Sequence, residues 1–173
     1  MIIIFTGNGK GKTTAAIGQA VRAVGNGSCV LMVQLIKGPW KSGEDNSVKI
    51  FGSSFKIEKM GKGFVRPDSD GPSIALHAKA ARKALDFSIG ELEKGTWKIL
   101  ILDEVWVALS LRLLTEKEVK TFIEQAEKHC DHLIMTGRGC PQVFMDRADL
   151  VTEMKEVKHP FSKGVQAAKC VEY

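Results

Sequence analysis

Residues 6–14, TGNGKGKTT, set three glycines and two lysines in nine positions, directly after the apolar run Ile2-Ile3-Ile4-Phe5. The order nearly meets the phosphate-loop pattern G-x-x-x-x-G-K-[ST], with Gly11, Lys12 and Thr13 in its last three places. Thr6 stands where the first glycine is expected. Successive N–H groups of a glycine-rich turn point inward and form an anion nest, and the helix starting near Thr13 adds the positive end of its dipole. Lys12 brings a point charge to phosphate oxygens, the Thr13 hydroxyl is a ligand for Mg²⁺, and Lys10 is a second cation beside the loop.

A second stretch, ILILDE at 99–104, has four apolar residues and then two carboxylates. That is how a strand delivers an acid to the metal end of a phosphate-loop site, so Asp103 or Glu104 is expected at Mg²⁺, directly or through water. Together the two stretches point to ATP or GTP with Mg²⁺. They leave the reaction open. Hydrolysis needs a group to orient water, a role open to Glu104, and a kinase needs a site for an acceptor hydroxyl. Displacement at the ribose C5′, with the whole triphosphate leaving, asks for positioning and charge stabilisation rather than a base.

The surrounding elements must hold these groups. Ile2–Thr6, Cys29–Ile36, the WKILILDE stretch and HLIMTG read as buried strands. VKIF and FKIEKM alternate with period two and read as half-buried strands, and DLVTEMKEVKH is expected to end the sheet. Helices are expected from Thr13 to Val24 and from Ser73 to Glu93, the latter with Ile74, His77, Ala78, Ala81 and Leu85 on one face. Thr115 and Glu118 form a capping-box pattern before a helix running to about Lys128. Alternating strands and helices predict an α/β fold: one domain over residues 1–173, with a mostly parallel sheet and helices on both faces. The longest expected loop, Gly61 to Pro72, carries Phe64 and Arg66.

Composition is that of a globular chain, 44% hydrophobic and 26% charged, with net charge +5. That mild basicity suits an anionic small molecule, and with no run of five like charges no nucleic-acid partner is expected. Cys29, Cys130, Cys140 and Cys170 are scattered, so reduced thiols are expected rather than a zinc site. No stretch is long and apolar enough to cross a membrane, and no secretory signal is expected. A cytoplasmic protein is expected.

Read together and in order, FTGNGKGKTTAA, VQLIKGPW, MGKGF, ILILDEVWVAL, TGRG and VKHPFSKGVQA strongly resemble the ATP:corrinoid adenosyltransferases of the CobA/BtuR/CobO family. The resemblance covers nearly the whole chain. It implies a phosphate-loop NTPase fold of RecA-like type, usually dimeric, and a place in cobalamin biosynthesis or salvage. The implied reaction moves the 5′-deoxyadenosyl group of ATP onto Co(I) of a corrinoid and releases triphosphate, with Mg²⁺ or Mn²⁺ and an electron donor such as a reduced flavoprotein. Gly7, Asn8, Gly9, Lys10, Gly11, Lys12, Thr13 and Thr14 match the ATP loop. Thr13, Asp103 and Glu104 match the metal side. Arg138 in TGRG matches an arginine near the triphosphate, and Phe64 an aromatic facing the lower side of the corrin. Lys12, Phe64 and Arg138 are thus the implied catalytic residues.

Two departures stand out. The loop reads Gly63-Phe64-Val65-Arg66 where relatives read G-F-T-W, and the N-terminal extension that covers the site in some relatives is expected to be absent. A kinase or ATPase, or a non-catalytic ATP- or corrinoid-binding relative, are the alternatives. Trp40 and Glu44 are candidates for a ligand mouth, Trp106 for a dimer face and His159 for a ribose or phosphate contact.

Overall fold

The computed structural model describes residues 1–63, 65, 71–160, 164 and 171. Six strands, β1 (Ile2–Thr6), β2 (Val30–Gln34), β3 (Phe55–Lys59), β4 (Ile99–Asp103), β5 (His132–Thr136) and β6 (Leu150–Glu153), form one sheet in the order β3-β2-β4-β5-β1-β6. Every pairing is parallel. The runs of Ile, Leu and Val in β1, β2, β4 and β5 follow from this: a parallel sheet covered on both faces has no solvent side to alternate toward.

Period two sorts the two faces. Ile2, Ile4, Leu31, Val33, Leu100, Leu102, Leu133 and Met135 point into one core with helices α3 (Gly71–Leu92), α4 (Val105–Ser110) and α5 (Glu116–Ala126). Phe5, Val30, Met32, Ile99, Ile101 and Ile134 point into the other, closed by Ala16 and Ala20 of α1 (Lys12–Gly25). On α3 the buried stripe begins at Ala78 and runs through Ala81 and Leu85, whereas Ile74 lies nearer the solvent, 38% exposed. Thr115 caps α5 as its sequence foretold: its hydroxyl accepts the Glu118 N–H at 3.2 Å while the Glu118 carboxylate accepts the Thr115 N–H at 2.7 Å.

VKIF is not a strand. The short helix α2 (Gly43–Ser47) leads into a 3-10 segment, Val48–Ser54, with a kink at Gly52. Val48 and Phe51, three apart, pack on the core while Ile50 is 83% exposed. Four alternating residues satisfied both periods, and the helical one prevailed.

Because all strands run the same way, the carboxyl ends of β1, β2, β4 and β5 share one edge of the sheet. Thr6, Gln34, Asp103 and Thr136 are the last residues of those four strands. Open α/β sheets bind their ligands at this edge.

Candidate active site

The phosphate loop leaves β1 at Thr6 and enters α1 through Gly11, which takes φ +113°. Gly7 has φ +92°, and a Cβ there would lie 2.5 Å from the Met154 carbonyl oxygen, so no other residue fits without moving the chain. The Gly9 N–H donates to that same carbonyl at 2.6 Å, and the Met154 N–H to the Thr6 carbonyl at 2.8 Å. The strand end after β6 thus braces the loop from outside. Lys12 is 6% exposed and donates to the Gly7 and Gly9 carbonyls at 2.8 and 2.7 Å. Burial lowers its pKa, against the pull of Glu104, while Arg138 adds a further push downward.

Thr6 now has a physical reason. Its side chain is buried, and its hydroxyl oxygen accepts the Cys140 N–H at 3.3 Å. Glycine cannot make this bond, which ties the root of the phosphate loop to the turn holding Arg138.

The acidic end of β4 meets the loop directly. Asp103 is fully buried, and its Oδ1 accepts hydroxyl hydrogen bonds from Thr13 at 2.8 Å and Thr136 at 2.7 Å. Its Oδ2 accepts from the Gln34 amide at 3.0 Å. Burial raises the Asp103 pKa, and these three donors oppose the rise. Glu104 caps α4 in the left-handed region, φ +64°, an uncommon conformation for a side-chain-bearing residue, and its N–H donates to Thr136 Oγ1 at 3.0 Å. Burial, then the nearby Asp103 charge, push its carboxyl up to about 7. Among the described residues Glu104 Oε2 is buried with no hydrogen-bond partner, as is Gln34 Oε1.

A hydroxyl, a buried carboxylate and a second carboxylate with an orphaned oxygen are hard oxygen donors that fit Mg²⁺. Among the described residues no group of three or more His, Cys, Asp or Glu side chains forms a complete metal cage.

The remaining expectations divide. Asn8, Lys10, Thr14 and Arg138 are exposed. Arg138 is close enough to influence both Lys12 and Glu104 electrostatically. Glu44 is ion-paired with Lys37, whose charge also acts on Asp103 and Glu104. Trp106 is not at a dimer face: it is fully buried, its ring centroid 5.1 Å from that of Phe144. Trp40 is 59% exposed and so is not a core residue. His159 is half-buried. Phe64, Arg66 and Cys170 lie outside the described residues. Gln34 and Thr136 were missed from the sequence. The only available signal was a lone polar residue ending each apolar strand.

A parallel α/β sheet with a glycine-rich loop between β1 and α1, joined through Thr13 to an acidic strand end, defines a phosphate-loop nucleotide-binding protein. Residues 1–173 match the family model of the ATP:corrinoid adenosyltransferases BtuR/CobO/CobP, and the chain belongs to that family. It is 38% identical over 173 residues to the corrinoid adenosyltransferase of Escherichia coli K12, covering all of this chain and 85% of that one. It is 37% identical over 178 residues to the corrinoid adenosyltransferase CobA of Salmonella typhimurium, with the same coverage. Among solved structures, the flagellar accessory protein FlaH of Methanocaldococcus jannaschii shares the fold, with TM-score 0.58 at 13% identity over 88% of this chain and 69% of that one. These relatives do not favour the kinase, ATPase or non-catalytic alternatives.

Proposed function

We propose that this chain transfers the 5′-deoxyadenosyl group of ATP to Co(I) of a corrinoid. The cobalt–C5′ bond forms as the C5′–O5′ bond breaks, and the bonding electron pair leaves with the triphosphate. The observation that carries this reading is the family match across all 173 residues. The 2.8 Å contact between Thr13 and Asp103, which joins phosphate loop to acidic strand, supports its nucleotide half.

In this reading Gly7, Asn8, Gly9, Lys10, Gly11, Lys12, Thr13 and Thr14 hold the triphosphate. Lys12 exchanges its two loop carbonyls for phosphate oxygens, and Arg138 adds a guanidinium whose planar fork suits the leaving group. Thr13, Asp103 and Glu104 would hold Mg²⁺, which supplies charge neutralisation for the departing triphosphate. Phe64, outside the described residues, is assigned to the corrinoid by the resemblance alone. Displacement needs no general base, and a site that positions C5′ and stabilises negative charge is sufficient. The proposal further includes a homodimer, a reduced flavoprotein as electron donor and a cytoplasmic location. Among the described residues no helix is long and apolar enough to cross a membrane, which accords with that location.

The test is the phosphate product. Anaerobic incubation with ATP, Mg²⁺ and chemically reduced cobalamin is expected to yield intact triphosphate by phosphorus NMR. ADP with orthophosphate would instead show a kinase or ATPase.

A further inference from the structure

The segment Thr136-Gly137-Arg138-Gly139-Cys140, at the end of β5, is fixed at three points while its central side chain stays in solvent. Thr136 Oγ1 donates to Asp103 Oδ1 at 2.7 Å and accepts the Glu104 N–H at 3.0 Å. The Gly137 N–H donates to the Phe5 carbonyl at 3.2 Å. The Cys140 N–H donates to the Thr6 hydroxyl oxygen at 3.3 Å. Gly137 also takes φ +139°, and a Cβ there would lie 2.8 Å from Trp106 Cβ and 2.9 Å from the Trp106 backbone nitrogen. The first turn of α4 therefore closes over bare backbone. Gly137 and Cys140 are buried, and Arg138 between them is exposed.

Two of these three points belong to the end of β1, where the phosphate loop begins. The Phe5 carbonyl is backbone and is present whatever residue stands there. The Thr6 hydroxyl is a property of the side chain. Thr6 is a strand residue without a positive φ, so its backbone makes no demand for the glycine of the phosphate-loop pattern. It is 5% exposed, and glycine or valine in its place would remove the acceptor of the Cys140 N–H. Aiming a long side chain costs rotamer entropy, and that cost is best met from a backbone already in place. Arg138 projects from such a backbone, and its charge reaches both Lys12 and Glu104.

We propose that Thr6 is the positioning residue for Arg138. Its hydroxyl holds the arginine turn in register with the phosphate loop, so that the guanidinium and the Lys12 ammonium act on one triphosphate. This rests on the adenosyltransferase reading above, in which Arg138 meets the leaving group. A threonine that only filled space would be replaced by valine with no consequence for phosphate binding.

The test is a double-mutant cycle on the full chain, with Mg²⁺-ATP and Mg²⁺-tripolyphosphate as binding probes read by calorimetry. Arg138→Ala is expected to raise the Kd for tripolyphosphate by about tenfold or more, and Thr6→Val and Thr6→Gly by about three- to tenfold. Thr6→Ser, which keeps the hydroxyl, rescues the affinity. In the Arg138→Ala background Thr6→Val is expected to add nothing, because no guanidinium is left to position. A Thr6→Val loss of equal size with and without Arg138 overturns the proposal, since a residue that only shapes the phosphate loop behaves in that way. Unchanged affinity in both Thr6→Val and Thr6→Gly overturns it as well, and so does unchanged affinity in Arg138→Ala. A wild-type protein that binds neither probe, or that turns ATP into ADP and orthophosphate, refutes the adenosyltransferase reading itself, and this inference with it.

Discussion

In the proposed reading, nucleotide binding turns on Lys12. Its ammonium closes the loop on itself through the Gly7 and Gly9 carbonyls. Lys12→Ala should leave the fold intact by circular dichroism and weaken ATP binding by about tenfold or more, since a hydrogen bond to a charged group contributes about 1.5–3 kcal/mol. Unaltered ATP affinity in calorimetry would remove Lys12 from the site. Glu104 gives a second prediction. Its folded carboxyl titrates at about 7, above the ordinary 4.5. Between those values the folded state binds more protons than the unfolded one, so this group's contribution to stability falls as pH rises through that window. Glu104→Gln stays neutral. Urea melts are expected to show it more stable than wild type by roughly 1–3 kcal/mol at pH 8, with the gap closing near pH 5. A gap independent of pH would contradict the placement of Glu104. The sequence disclosed Lys12, Thr13, Asp103 and Glu104 because each sits in a local pattern. Gln34 and Thr136 were illegible because their partner, Asp103, is 69 and 33 residues away.

Elements were legible where local signal and burial agreed. The Thr115 capping box fixed the start of α5, and the unbroken apolar runs fixed the four strands buried on both faces. VKIF failed because four residues cannot distinguish period two from period three, and only contact with the core decides. The cap itself is testable. Burial alone would raise the Glu118 carboxyl, but hydrogen bonds from Thr115 and Arg82 outweigh it and hold the group at about 2. A depressed carboxyl contributes stability that is fully present above its ordinary value, 4.5, and is lost as pH falls through about 2. Thr115→Ala should therefore cost about 1 kcal/mol at pH 7 and less near pH 2. An equal cost at both, in thermal melts, would mean that the reciprocal Glu118 bond contributes nothing.

At the scale of the molecule, one sheet serves both cores and carries the site on its edge, so packing and nucleotide binding are mechanically joined. Leu102, fully buried, immediately precedes Asp103 on β4. Leu102→Ala should cost about 2–5 kcal/mol in a single cooperative transition. Two separate transitions by circular dichroism and fluorescence would contradict the one-domain reading. The fold class was legible because alternating strands and helices leave few topologies. The closeness of Gly38 and Gly63, which both lie against the Trp40 ring, was not legible, because they are 25 residues apart in the chain.

The adenosyl transfer itself is tested most directly by following the carbon that moves. ATP labelled with ¹³C at C5′ would be incubated anaerobically with the protein, Mg²⁺ and reduced cobalamin, and the products read by NMR. The label is expected bonded to cobalt, with one triphosphate released for each bond formed. Label remaining in ATP or in ADP, from a protein shown to bind both substrates, would contradict it.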